Sequence, residues 1–111
     1  MDITVREMKR VVLVGPVGKV NHETAPELQK VLDEEIANGH FKIVVDMSKV
    51  NYISSAGLRV LLKARKDVKR WNRGDLRLSG VQPLVLETLE LVGFTRIFEM
   101  YDDTVDAVGS F

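Results

Sequence analysis

The spacing of apolar and polar residues changes several times along the 111-residue chain, and each change marks an element. Ile3-Thr4-Val5-Arg6 alternates as a half-buried strand does, and Val11-Val12-Leu13-Val14 is a second strand. A polar turn around Lys9 joins them, which predicts a hairpin. Gly15-Pro16-Val17-Gly18 then punctuates the chain, and Gly18-Lys19-Val20-Asn21 is a short extended piece running into a helix. Thr24-Ala25-Pro26-Glu27 carries helix-start chemistry: Thr24 can cap an early amide, Glu27 can reach back, and Pro26 suits the first turn. Leu28, Val31, Leu32 and Ile36 follow at helical spacing, with Gly39 placed to stop the helix.

Phe41 to Met47 is a nearly continuous apolar run, as expected of a central strand covered on both faces. Ser48-Lys49-Val50-Asn51 reads as a connection. Ala56 to Trp71 is a second helix, with Leu61, Ala64, Val68 and Trp71 directed toward the sheet and Gly74 beyond its end. Asp75 to Leu78 is a strand, Pro83 opens a third helix that Gly93 stops, and Ile97 to Tyr101 is a last strand. Asp103 or Thr104 can cap a final short helix. Strands alternating with helices after an initial hairpin predict a small α/β domain over residues 1–111, with a mixed sheet and about four helices.

Composition narrows the function. The absence of cysteine rules out disulfides and thiolate metal sites and fits a reducing cytoplasm. No apolar run approaches the ~20 residues of a membrane span, and residues 1–10 have no signal-like apolar core. The formal net charge of zero argues against broad attraction to nucleic acid or anionic membrane. That zero is a cancellation, however. Residues 59–73 hold seven basic side chains and one acid, whereas residues 87–111 hold six acids and one base.

Enzymatic motifs fall short. There is no phosphate-binding G-x-x-x-x-G-K-[ST] sequence, and Ile53 stands where a nucleophile elbow around Ser55 needs glycine. His22 and His40 have no ligand set at metal spacing, and neither forms a recognisable motif with Ser55, so a hydrolase reading is weak. No cofactor is expected. Ser54 and Ser55 stand just before a helix, where serine can cap an orphan amide. The same place also suits a phosphate, which the helix N-terminus would help to hold.

The stretch Val44-Val45-Asp46-Met47-Ser48-Lys49-Val50-Asn51-Tyr52-Ile53-Ser54-Ser55-Ala56-Gly57-Leu58 resembles the signature of bacterial anti-sigma-factor antagonists, the STAS-domain family. Gly18-Lys19-Val20-Asn21 resembles that family's element before its first helix, and Leu89-x-x-Val92-Gly93-Phe94 its later helix end. The resemblance implies a partner-switching regulator rather than an enzyme. An unphosphorylated antagonist binds an anti-sigma factor that is also a serine kinase, phosphorylation breaks that complex, and a serine phosphatase restores it. Carried over, the phosphoacceptor is Ser55, followed by the small residues Ala56 and Gly57, with Leu58 beginning the helix core. Two positions depart from the pattern: Ser54 and Asn21 stand where the family has acids.

The helix after Ser55 adds its own signal. Arg59, Lys63, Lys66, Arg70 and Arg73 fall within about 80° of arc, with Ser55 at the edge of the stripe. A solvated helix face is one reading of such a stripe. The sharper one is a docking surface for an acidic face of the kinase, formed by Asn21, Ser54, Ser55, Ala56, Gly57, Arg59, Lys63 and Lys66. Two alternatives stay open: a STAS subunit of a lipid-transport or stress-sensing assembly without phosphorylation, and nucleic-acid binding through the basic helix. The second lacks interleaved aromatics.

Overall fold

The computed structural model describes residues 1–71 and 73–111. Among these, strands β1 (Asp2–Met8), β2 (Val11–Val20), β3 (Lys42–Asp46), β4 (Val50–Ile53), β5 (Asp75–Ser79) and β6 (Met100–Tyr101) form one mixed sheet. Helices α1 (Ala25–Ala37), α2 (Ser55–Lys69), α3 (Pro83–Leu91) and α4 (Thr104–Gly109) alternate with them. The strand order is β1-β2-β3-β5-β6, with β4 paired to β2 off this path. β1 and β2 are antiparallel, and every other pairing is parallel. The expected α/β architecture, with its initial hairpin and four helices, is what the chain builds.

Strand alternation divides the core. Val12, Val14, Ile43, Val45, Leu76 and Leu78 point to the face that carries Leu28 and Leu32 of α1, Leu61 and Val68 of α2, and Val85 and Leu89 of α3. Val11, Leu13 and Val44 point to the other face, where Ala107 and Val108 of α4 meet them. β3 is therefore covered on both sides, as its apolar run requires. The hairpin turn is two residues long, with Lys9 at φ 50° and Arg10 at φ 68°, the left-handed pair that a twisted hairpin demands.

The structure departs from the sequence-based expectation in four places. First, β2 runs without a break through Gly18 to Val20, and Val50–Ile53 is a strand rather than a connection. The two facts have one cause. At Gly18, φ is +98° and the register shifts between Gly18 and Lys19. β2 pairs with β3 over Val12–Val14 and then offers its far end to β4. Second, the last strand is only Met100–Tyr101, because Phe94–Arg96 winds a 3₁₀ turn and Phe98 turns inward. The Phe98 ring lies 5.4 Å from that of Phe94 in the core. Third, Trp71 lies beyond α2 and is 53% exposed, stacked on Phe41 at 4.7 Å instead of facing the sheet. Fourth, the Thr24–Glu27 capping box does not form. Thr24 donates its hydroxyl to the Lys19 carbonyl at 2.7 Å, and the Glu27 carboxylate lies 3.1 Å from the Met1 amine.

One contact decides where α2 begins. The chain leaves β4 at Ile53 and turns into helix within two residues, so the first turn of α2 lies against the ends of β2 and β4. A Cβ on Gly57 would sit 2.7 Å from both Ile53 Cγ1 and Val20 Cγ1, and 3.1 Å from the Val20 carbonyl oxygen. Val20 and Ile53 are buried and β-branched, so neither can yield easily. Gly57→Ala is expected to destabilise the fold by about 1–3 kcal/mol through overpacking, read as a lower urea midpoint with an unchanged m-value.

Candidate functional site

The site is built at the carboxyl ends of β2 and β4. Ser54 has extended geometry (φ −93°, ψ 174°), and its amide donates to the Val20 carbonyl at 2.8 Å. Its hydroxyl accepts from the Gly57 amide at 3.4 Å, which makes Ser54 the cap of α2. Ser55 is the first helical residue and is exposed. The first turn of α2 holds no acid, so the amide end of the helix is free of negative charge.

Asn21 follows directly on Val20 and organises the neighbouring loop. Its Oδ1 accepts from the amides of Glu23 at 2.9 Å and Thr24 at 3.0 Å, and its own amide donates to Thr24 Oγ1 at 2.9 Å. The Ala25 amide closes the turn onto the Asn21 carbonyl at 2.7 Å. Asn21 thereby orders the residues just before α1, while the Glu27 amide of that helix donates to the Thr24 carbonyl at 3.0 Å rather than to its hydroxyl. Asn21 and Ser54, the two positions that depart from the resembled pattern, therefore share a local role. Each presents an acceptor to backbone amides, which a carboxylate could do equally well, but without its charge. Through Val20 the structure brings Asn21, Ser54, Ser55 and Gly57 into one corner of the molecule.

Beside this corner, α1 and α2 enclose an open groove of about 750 Å³. Ala56, Arg59, Lys63, Lys66 and Arg70 line its α2 side, and His22, Pro26 and Gln29 line the other. The expected stripe is present in part. Lys63 donates to Asp67 Oδ2 at 2.8 Å and lies 3.6 Å from Asp33 Oδ1. The Asp67 hydrogen bond, helped by the charges of both carboxylates, holds its ammonium above the ordinary lysine range against a smaller burial effect. Lys63 is thus already neutralised within the chain. Arg73 leaves the stripe, because α2 ends at Lys69 and Arg73 takes a left-handed φ of 64°. Arg59, Lys66 and Arg70 have no carboxylate within 4.0 Å among the described residues.

The α1 half of the groove was not visible in the sequence. His22 and Gln29 carry no motif and Pro26 only that of a helix start; packing of α1 on α2 is what brings them beside Arg59 and Lys63, and Asp33 within reach of Lys63. Among the described residues, His22 makes no hydrogen bond to Ser55, and no cluster of His, Asp and Glu could hold a metal. Nor is any described helix long and apolar enough to cross a membrane.

Comparison with known proteins gives a consistent picture. The family model described as the STAS domain matches residues 2–107. BtrV of Bordetella bronchiseptica, a candidate anti-sigma factor antagonist by name, is 32% identical over all of this chain and 95% of its own length. The anti-sigma F factor antagonist of Paenibacillus polymyxa is 26% identical over 97% of this chain and 92% of its own. Among solved structures, a candidate anti-sigma factor antagonist from Thermotoga maritima superposes with a TM-score of 0.90 at 28% identity. That match covers 97% of this chain and 92% of the other. The capping role of Ser54 is tested by paired variants. Ser54→Ala is expected to cost about 1 kcal/mol and Ser54→Asp nothing, since the carboxylate keeps the acceptor and favours the helix N-terminus; urea melts read both.

Proposed function

Since the chain belongs to the STAS-domain family, we propose that it is an anti-sigma-factor antagonist acting by partner switching in the cytoplasm, through binding rather than catalysis. The observation that carries this reading is Ser55, exposed at the first position of α2 and flanked by a groove whose free charges are cationic. The names of its relatives in Bordetella and Paenibacillus support the same class. In the unmodified state, Asn21, Ser54, Ser55, Ala56, Gly57, Arg59 and Lys66 form the surface that receives an anti-sigma factor with serine-kinase activity. Lys63 acts there mainly by ordering Asp33 and Asp67.

The physics of the switch is local. A phosphate on Ser55 carries about −1.5 to −2 charges at neutral pH. The open amide end of α2 stabilises it, and Arg59, one helical turn on, is placed to pair with it. An acidic partner face that is attracted to Arg59 and Lys66 then meets a neutralised, anionic corner. Because Asn21 and Ser54 are uncharged, no carboxylate at either position opposes the incoming phosphate. A serine phosphatase returns the corner to its first state.

The test uses the cognate anti-sigma factor kinase with ATP and maps the phosphate by mass spectrometry. Phosphate is expected at Ser55, absent in Ser55→Ala, and expected to weaken binding to the kinase at least about tenfold by calorimetry. Lys66→Glu should weaken binding more than Lys63→Glu, because Lys63 is already paired. A kinase that is active on another substrate yet leaves Ser55 unmodified would overturn the switch. Kinase affinity unchanged by Lys66→Glu at low salt would remove the groove from the interface.

A further inference from the structure

The outer face of α3 is apolar where a surface helix is usually polar. Val85 and Leu89 turn into the core, which leaves Leu84 and Leu91, seven residues apart, on the opposite side. They are 72% and 87% exposed, and Val92 just beyond is 49% exposed. Glu87 and Glu90 flank them on one side, and no basic residue lies between Pro83 and Thr95. The face is therefore an acidic, leucine-bearing helix surface left exposed among the described residues.

The α1–α2 groove is its complement. Lys66 on α2 and Arg70 just past its end, four residues on, have no carboxylate partners among the described residues, while Glu87 and Glu90 stand three apart on α3. Both spacings amount to about one helical turn, roughly 4.5 Å along the axis for the glutamates and roughly 6 Å for the cations. Beside the two cations, the groove presents Pro26, Ala56 and Leu62, apolar surface of the kind that the leucines need. The cancellation of charge over the whole chain places these opposite signs on different helices of one molecule.

We propose that α3 of one copy docks in the α1–α2 groove of a second copy, with Leu84 and Leu91 against the apolar lining and Glu87 and Glu90 against Lys66 and Arg70. The proposed contact is made once per pair, head-to-tail, and leaves a free groove at one end and a free α3 at the other. The contact is small, so the association is weak, dependent on concentration and sensitive to salt. It does not rest on phosphorylation of Ser55. Where the partner-switching reading holds, a seated copy and the kinase would compete for the same groove.

Sedimentation velocity on the purified full chain tests this without any kinase. At low salt the wild-type sedimentation coefficient is expected to rise with concentration. Raising salt to roughly 0.5 M should lower the association constant about tenfold. Leu91→Lys removes the donor surface and Lys66→Glu the acceptor surface. Both residues are exposed, and circular dichroism confirms that each variant is folded. Each variant alone should stay monomeric, whereas their equimolar mixture should form a dimer and no larger species, because one intact groove meets one intact α3. A wild type that is monomeric at every concentration overturns the proposal. So does a mixture that stays monomeric while the wild type associates, since that pattern belongs to a symmetric contact.

Discussion

The fold hinges on a side chain that is missing. With no Cβ at residue 57, the first turn of α2 can lie against Val20 and Ile53, where a methyl group would stand 2.7 Å from each. That approach lets the chain leave β4 and become helical within two residues. It also lets the Ser54 amide reach the Val20 carbonyl and puts Ser55 at the rim of the sheet. Gly18 is the other half of the arrangement: at φ +98° it carries the register shift within the pairing of β2 with β4. Two glycines, neither with any chemistry of its own, thus stand where β2, β4 and the start of α2 meet beside Ser55.

Around that serine the electrostatics are arranged by subtraction. Asn21 and Ser54 satisfy backbone amides as neutral acceptors, so the corner is held together without negative charge. Lys63 is paired with Asp67 and Asp33, whereas Arg59, Lys66 and Arg70 have no carboxylate within 4.0 Å among the described residues. A zero net charge for the chain means that no long-range field blurs this pattern. In the proposed switch, adding or removing one phosphate changes the sign of charge over a small area, large enough to alter docking and too local to threaten the core.

Much of this was legible in the residues. The alternation in Ile3–Arg6, the apolar run at Phe41–Met47 and the helical repeats after Thr24 and Ala56 predicted the sheet and its helices. The serine pair with its following small residues marked the corner. What failed was non-local. Val50–Ile53 has the pattern of a strand only once β2 is known to extend to Val20 and offer an edge. Phe98 looked like strand until its ring found Phe94, and Trp71 looked inward until Phe41 gave it a surface to stack on. The pairing of Lys63 with Asp33 depends on α1 lying beside α2, a fact of tertiary packing that no window of sequence carries.

In the proposed switch, modification of Ser55 edits a surface and leaves the fold beneath it unchanged. Backbone amide spectra of the unmodified and the Ser55-phosphorylated protein test it most directly. Shift changes are expected only in Val20–Thr24 and Ser54 through about Arg59, with hydrogen-exchange protection in β3 and β5 unaltered. Shifts spreading through β5 into α4, or lost protection in the central strands, would contradict it.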